Sequence, residues 1–184
     1  MGYNKQWKDW FEGGESMWSE YGYTYHSYQI ARHLLKTLDI PKTGDIIQLG
    51  TGIGTTIEEL CNQFGKERVY GYDIFNPLQH PNIHSLDLST DLPKNGYLAY
   101  TDIDVGSVST HKNIRFNLFS WAWDYTIKGG YVLVNNSVLE EFEKKHPLVI
   151  RNSERKPLNE YDITQLWDNV HKNRLNTKTL IKKL

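Results

Sequence analysis

The chain has 184 residues and a formal net charge of −1, which suits one domain (1–184) and carries no global electrostatic footprint for nucleic acid. Cys61 is its single cysteine, so no internal disulfide forms, and no charged-then-apolar leader or long apolar run marks a secretory or membrane segment. A cytoplasmic protein with no membrane and no nucleic-acid partner is the expectation.

Residues 1–25 concentrate aromatic side chains, with Trp7, Trp10 and Phe11 at helical spacing and Gly13-Gly14 offering a bend. Ser27 to Leu38 reads as a helix with Ser27 at its N-cap and an apolar stripe of Ile30, Leu34, Leu35 and Leu38. Residues 1–38 are therefore expected to form an N-terminal helical cap over a ligand site. Packing of the aromatics on the body, or a homodimer contact through them, are the competing readings.

After the turn Pro41-Lys42-Thr43-Gly44, the run Asp45 to Leu49 reads as a first strand. It ends in Gly50-Thr51-Gly52-Ile53-Gly54, three glycines at alternate positions. A helix follows, with Ile57, Leu60, Cys61 and Phe64 on one face and Gly65 as its stop. Strand, glycine turn and helix open a nucleotide-type α/β fold. Arg68 to Asp73 reads as a second strand ending in an acid about 20 residues beyond Gly54. A carboxylate there can accept hydrogen bonds from both hydroxyls of a ribose, and Ile74 is placed to touch an adenine face.

Asn82 to Leu86 reads as a third strand, with Asp87-Leu88 and Asp91 beyond it, and Gly96 to Asp104 as a fourth, ending Asp102-Ile103-Asp104. A helix is expected over residues 109–127. Lys128-Gly129-Gly130 reads as a tight turn before a fifth strand, Tyr131 to Val134, which ends in Asn135-Asn136, and a helix over 137–145 follows. Leu148 to Ile150 is expected to be a sixth strand. Asp162 is expected to cap a helix bearing Ile163, Leu166, Trp167 and Val170, and Thr179 to Ile181 to close the sheet. Lys172, Arg174, Lys178, Lys182 and Lys183 read as a solvated basic surface.

The glycine turn resembles motif I of the class I S-adenosylmethionine (SAM) dependent methyltransferases. That resemblance implies a Rossmann-like, doubly wound, mostly parallel sheet in three α/β/α layers. It implies SAM as cofactor, S-adenosylhomocysteine as product, and a small-molecule acceptor. Carried over position by position, the cofactor contacts fall on Gln48, Gly50, Thr51, Gly52, Gly54, Asp73, Ile74, Asp87, Leu88 and Asp102. Gln48 stands where the family usually has an acid.

The strand ends are also similar to those of small metal-dependent O-methyltransferases, whose fourth strand ends Asp-x-Asp and whose fifth ends Asp-Asn. Asp102, Asp104 and Asn136 match that pattern, whereas Asn135 replaces an acidic ligand, so no metal is expected. Methylation at oxygen is the reading this supports, with Asp104 and His111 as candidate bases and Asn135 and Asn136 beside the acceptor. Two alternatives stand beside it: a SAM or nucleotide binder of the same fold without transfer activity, and an NAD-type oxidoreductase, which the G-x-G-x-G spacing disfavours.

Overall fold

The computed structural model describes residues 27–52, 54–76, 78–105, 112–162 and 177–184. The N-terminal aromatic stretch, His111, the apolar stripe after Asp162, Lys172 and Arg174 lie outside them.

Seven strands form one sheet in the order β3-β2-β1-β4-β5-β7-β6. They are β1 (Asp45–Leu49), β2 (Val69–Asp73), β3 (Ile83–Ser85), β4 (Leu98–Ile103), β5 (Thr126–Asn135), β6 (Ser153–Pro157) and β7 (Lys178–Lys183). The first five run parallel; β7 is inserted antiparallel between β5 and β6. Among the described residues, three α-helices connect them: α1 (Thr55–Phe64), α2 (Lys112–Tyr125) and α3 (Asn136–Lys145).

Strand periodicity sends alternate side chains to opposite faces, and each face has its own cover. Ile46, Val69, Tyr100, Leu133 and Leu180 pack under α1 and the leading helical segment, whose Ile30, Ala31, Leu34 and Leu35 are buried. Ile47, Leu49, Ile103, Val132, Val134 and Ile181 pack under α2 and α3. The result is the doubly wound, mostly parallel, three-layer α/β/α arrangement expected from the sequence. On α1, Ile57, Leu60 and Cys61 are buried, and burial pushes the Cys61 thiol up, which makes it an inert packing group. No helix among the described residues is long and apolar enough to cross a membrane.

Four local expectations are corrected. Leu148 to Ile150 is a turn, with Leu148 72% exposed, and the sixth strand is instead the polar Ser153–Pro157. As the edge of the sheet, β6 needs no apolar alternation, and its charges and terminal proline keep the edge from pairing further. Lys128-Gly129-Gly130 is not a turn ahead of β5 but a bulged part of it, where the pairing with β4 jumps from Leu98↔Thr126 to Tyr100↔Tyr131. Gly129 takes φ +80° there, and a Cβ on Gly130 would meet the Leu98 carbonyl oxygen at 2.9 Å. Ser27 lies within the helical segment, and its hydroxyl donates to Asp104. Lys178 is enclosed, as described next.

Candidate functional site

The carboxyl ends of the parallel strands bring the singled-out residues to one edge of the sheet, where ligands bind in such folds. At β1, Gly50, Gly52 and Gly54 take φ of +83°, +56° and +93°. The first of these has a packing reason: a Cβ on Gly50 would lie 2.5 Å from the Asp104 carbonyl oxygen, so β1 and β4 close on each other only because no side chain intervenes. Gly71, inside β2, plays the same part for the turn, since a Cβ there would meet Thr51 Cγ2 at 2.6 Å and Ile57 Cδ1 at 2.9 Å. An interior strand glycine signals such an approach, and Gly71 was not singled out from the sequence.

Asp73, at the end of β2, clasps the turn. Its Oδ2 accepts from the Gly52 N–H at 2.9 Å and its Oδ1 from the Ile74 N–H at 2.7 Å. Burial pushes its carboxyl up from 3.8 to about 6, against the pull of these backbone donors. The Phe75 and Thr51 N–H groups pull in the same direction, so four backbone donors converge on this carboxylate and favour its ionised form. Asp87 turns its Oδ1 onto the Ser89 N–H at 3.0 Å and so caps the turn that follows. Leu88 packs toward the α2 face and opens a groove of about 590 Å³ that runs between residues 88–96 and α2, past Ile114, Trp121 and Tyr125.

The β4 end carries two different carboxylates. Asp104 has both oxygens engaged: Ser27 Oγ donates to Oδ2 at 3.0 Å and Lys178 Nζ to Oδ1 at 3.1 Å. Asp102 is 1% exposed, and its Oδ1 has no hydrogen-bond partner among the described residues. Burial pushes its carboxyl up to about 6, while Lys178 pulls it down. Gln48 is likewise 1% exposed, with Oε1 unpartnered, and β1–β4 register sets it opposite Asp102. The Thr51 and Thr56 hydroxyls beside the glycine turn are also buried without a partner among the described residues.

Lys178 reaches this edge because β7 runs antiparallel: its first residue pairs with Asn135, the last of β5. The two nearby carboxylates hold its ammonium above the ordinary lysine value despite burial. Read along the chain, Lys178 is one charge in a basic run; only the strand's direction delivers it to Asp104. Asn135 is the N-cap residue of α3, and Asn136 Oδ1 accepts from the Thr179 hydroxyl at 2.7 Å, which ties it to β7. The site thus gathers Gln48, the glycine turn, Asp73, Asp102, Asp104 and Asn135, adds Ser27 and Lys178, and puts Asn136 to structural use. Among the described residues, no group of three or more His, Cys, Asp or Glu side chains is arranged to hold a metal ion.

No protein-family model and no curated protein sequence matches the chain. In three dimensions it is similar to the plantazolicin methyltransferase BpumL, solved with S-adenosylhomocysteine, at a TM-score of 0.54 and 11% identity over 90% of this chain and 86% of that one. It is similar to phosphoethanolamine N-methyltransferase 2 of Haemonchus contortus, solved with phosphomonomethylethanolamine and S-adenosylhomocysteine, at a TM-score of 0.51 and 15% identity over 85% and 53% of the two chains. TrmN from Thermus thermophilus matches at a TM-score of 0.51 and 13% identity over 84% and 48%. The chain spans about half the length of the last two. At these identities the likeness establishes the fold alone, a Rossmann-like one that these methyltransferases share.

Proposed function

We propose that the chain binds SAM at the carboxyl edge of its sheet and transfers the methyl group to a small-molecule acceptor. One observation carries this reading: the Asp73 carboxylate lies against the Gly52 N–H of a three-glycine turn, so a ribose acceptor and an open backbone surface adjoin. The residues fit the cofactor in two further ways. The positive-φ glycines present backbone without a Cβ, and the unpartnered oxygens of Gln48 and Asp102 call for a donor that the described residues do not supply. Solved structures of the same fold that hold S-adenosylhomocysteine support the choice of ligand.

When bound, SAM supplies an activated sulfonium methyl group, so the protein's task is mainly positioning and exclusion of water. Asp73 and the glycine turn would hold the adenosine end, with Ile74, Asp87 and Leu88 as the adenine-side contacts. Asn135, at the neighbouring strand end, would face the acceptor. An oxygen acceptor also needs a base. Asp104 and His111 are its candidates, and Asp104 would have to release Ser27 or Lys178 to take a proton. The ammonium of Lys178 stands beside Asp104 where a metal would need negative ligands, so transfer is proposed to be metal-independent. Residues 1–25 are proposed as the cap of this site, because the helical segment that follows them is anchored to Asp104 through Ser27; the resemblance and the balanced charge point to a small acceptor in the cytoplasm rather than to nucleic acid.

A second reading, binding without transfer, is favoured by the engagement of both Asp104 oxygens. Calorimetry with SAM, S-adenosylhomocysteine, NAD and ATP tests the ligand. The two SAM-type ligands should bind and NAD should not, and Asp73→Ala should lower their affinity ~10-fold or more, the worth of a charge-assisted hydrogen bond. Preference for NAD, or equal SAM affinity of mutant and wild type, overturns the assignment. Turnover of methyl-labelled SAM with a panel of small hydroxyl and amine acceptors separates transfer from binding alone.

A further inference from the structure

The crossover from β3 to β4 contains no helix. It spans residues 86–97, a turn at 88–90 followed by irregular chain, and it passes β2 and β1 to reach β4. Parallel strands are usually joined through a helix. Here a polar clamp holds the chain to the sheet instead: the Tyr72 hydroxyl donates to Asn95 Oδ1, and Asn95 Nδ2 donates to Asp45 Oδ2 at 2.7 Å. Where a crossover helix would have packed against α2, the groove of about 590 Å³ is left.

One face of α2 forms the wall opposite the crossover. Asn117, Ser120, Trp121, Asp124 and Tyr125 recur there at helical spacing and line the groove. From Ile114 to Tyr125 this face is about 16 Å long, so the groove continues to the opposite edge of the sheet, where Gly96 and Tyr125 precede β4 and β5. That lower end is separated from the glycine turn by the length of β4. Trp121, in its wall, is 6% exposed. The indole N–H of Trp123 donates to the Val149 carbonyl oxygen at 3.3 Å, whereas that of Trp121 has no acceptor among the described residues. A buried indole N–H usually has one. The Tyr125 ring, 48% exposed, lies 6.2 Å from the Trp121 ring and extends the aromatic surface outward.

Donors and acceptors are mixed along this groove. The Trp121 N–H and the Lys94 ammonium only donate, the carboxylates of Asp91 and Asp124 only accept, and Asn117 and Ser120 do both. An anion would meet two carboxylates, of which Lys183 attracts one, Asp124. A cation would meet the Lys94 ammonium and the indole N–H. A neutral ligand with several hydroxyls pairs with all of these groups, because each hydroxyl both donates and accepts. Its C–H face also suits the negative face of the Tyr125 ring. The volume is ordinary for a small-ligand site. We propose that the lower half of this groove is a second binding site, for a neutral sugar ring, separate from the strand-end site and independent of the SAM reading.

The test is proton–nitrogen correlation NMR of the full chain without cofactor. The chain is titrated with glucose, galactose, mannose and maltose, and with phenethylamine and benzoate as charged probes. The indole N–H signal of Trp121, identified by its loss in Trp121→Phe, is expected to shift saturably at millimolar concentrations of at least one of the sugars. Tyr125→Ser, at an exposed position where folding is not at stake, is expected to lower that affinity ~5-fold. No shift with any of the sugars, tighter binding of phenethylamine or benzoate, or sugar affinity that Tyr125→Ser leaves unchanged overturns the assignment. Shifts confined to Gly50–Gly54 and Asp73 would place the sugar at the strand ends and overturn it as well. Because no cofactor is present, failure of the SAM reading leaves each of these outcomes readable.

Discussion

Lys178 Nζ lies 3.1 Å from Asp104 Oδ1, although 74 positions separate the two residues in the chain. Their side chains are 13% and 19% exposed, so the pair is largely withdrawn from water. Removing one partner of such a pair leaves a buried charge unanswered, and here Lys178 also faces Asp102. Lys178→Met is expected to cost about 3 kcal/mol of stability in urea unfolding. Combining it with Asp104→Leu should recover much of that loss, because the double variant buries no lone charge. Because the folded lysine titrates above its unfolded value, the pair's contribution is present in full through neutral pH and is lost only as pH rises through the raised value.

Asp73 and Asp102 act with the same sign in the acid range, but through burial of the charged form. Burial pushes both carboxyls up from 3.8 to about 6. Between those values the folded chain binds more protons than the unfolded one, so their contribution makes stability fall as pH rises through the window. For Asp73 the effect is on the order of 3 kcal/mol. Urea unfolding of wild type against Asp73→Asn and Asp102→Asn between about pH 4 and 7 should show a flatter slope in each variant. Binding of S-adenosylhomocysteine should strengthen over the same range, since ribose hydroxyls donate to the ionised Asp73; affinity that falls with rising pH would contradict its role.

Gly50 is a position where the neighbouring backbone leaves no room for a side chain. At φ +83° a non-glycine residue is strained, and its Cβ would press on the backbone of Asp104 rather than on a movable side chain. Gly50→Ala should lower stability by about 2–3 kcal/mol and open the β1–β4 contact that aligns Gln48 with Asp102. Gly96, with nothing within 4 Å of its would-be Cβ, is the control: Gly96→Ala should leave the melting temperature nearly unchanged.

Arg68 performs a structural task at the opposite end of the sheet. Its guanidinium donates to the carbonyls of Gly44, Lys42 and Pro41 at 2.9, 2.8 and 2.8 Å, which sets the turn that launches β1. Arg68→Met should cost about 2 kcal/mol. Arg68→Lys should restore only part of it, because one ammonium cannot reach three carbonyls as a planar fork does. Chemical denaturation of the three proteins checks the order.

The short strand-like runs of β1, β2 and β4, the stripe on α1 and the three alternate glycines determined the parallel core and the turn. These are local patterns: a strand buried on both faces reads as a near-continuous apolar run, and a helix with one apolar side repeats at a period of 3.6. Asp73 was legible for the same reason, as an acid at a strand end a known distance beyond the turn. What the sequence did not carry was the direction and neighbourhood of the later strands. The edge strand β6 has no buried face, so it left no apolar signature in Ser153–Pro157. Gly129-Gly130 looks the same along the chain whether it turns the backbone or bulges it, and only the step in pairing with β4 decided. Lys178 read as one solvated charge among several until antiparallel pairing with Asn135 carried it to Asp104. The matching of Gln48 with Asp102 came likewise from the register of two strands far apart in sequence. A side chain's type is written in the chain, but its partner is chosen by strand order, direction and register, which arise only when distant segments pack together.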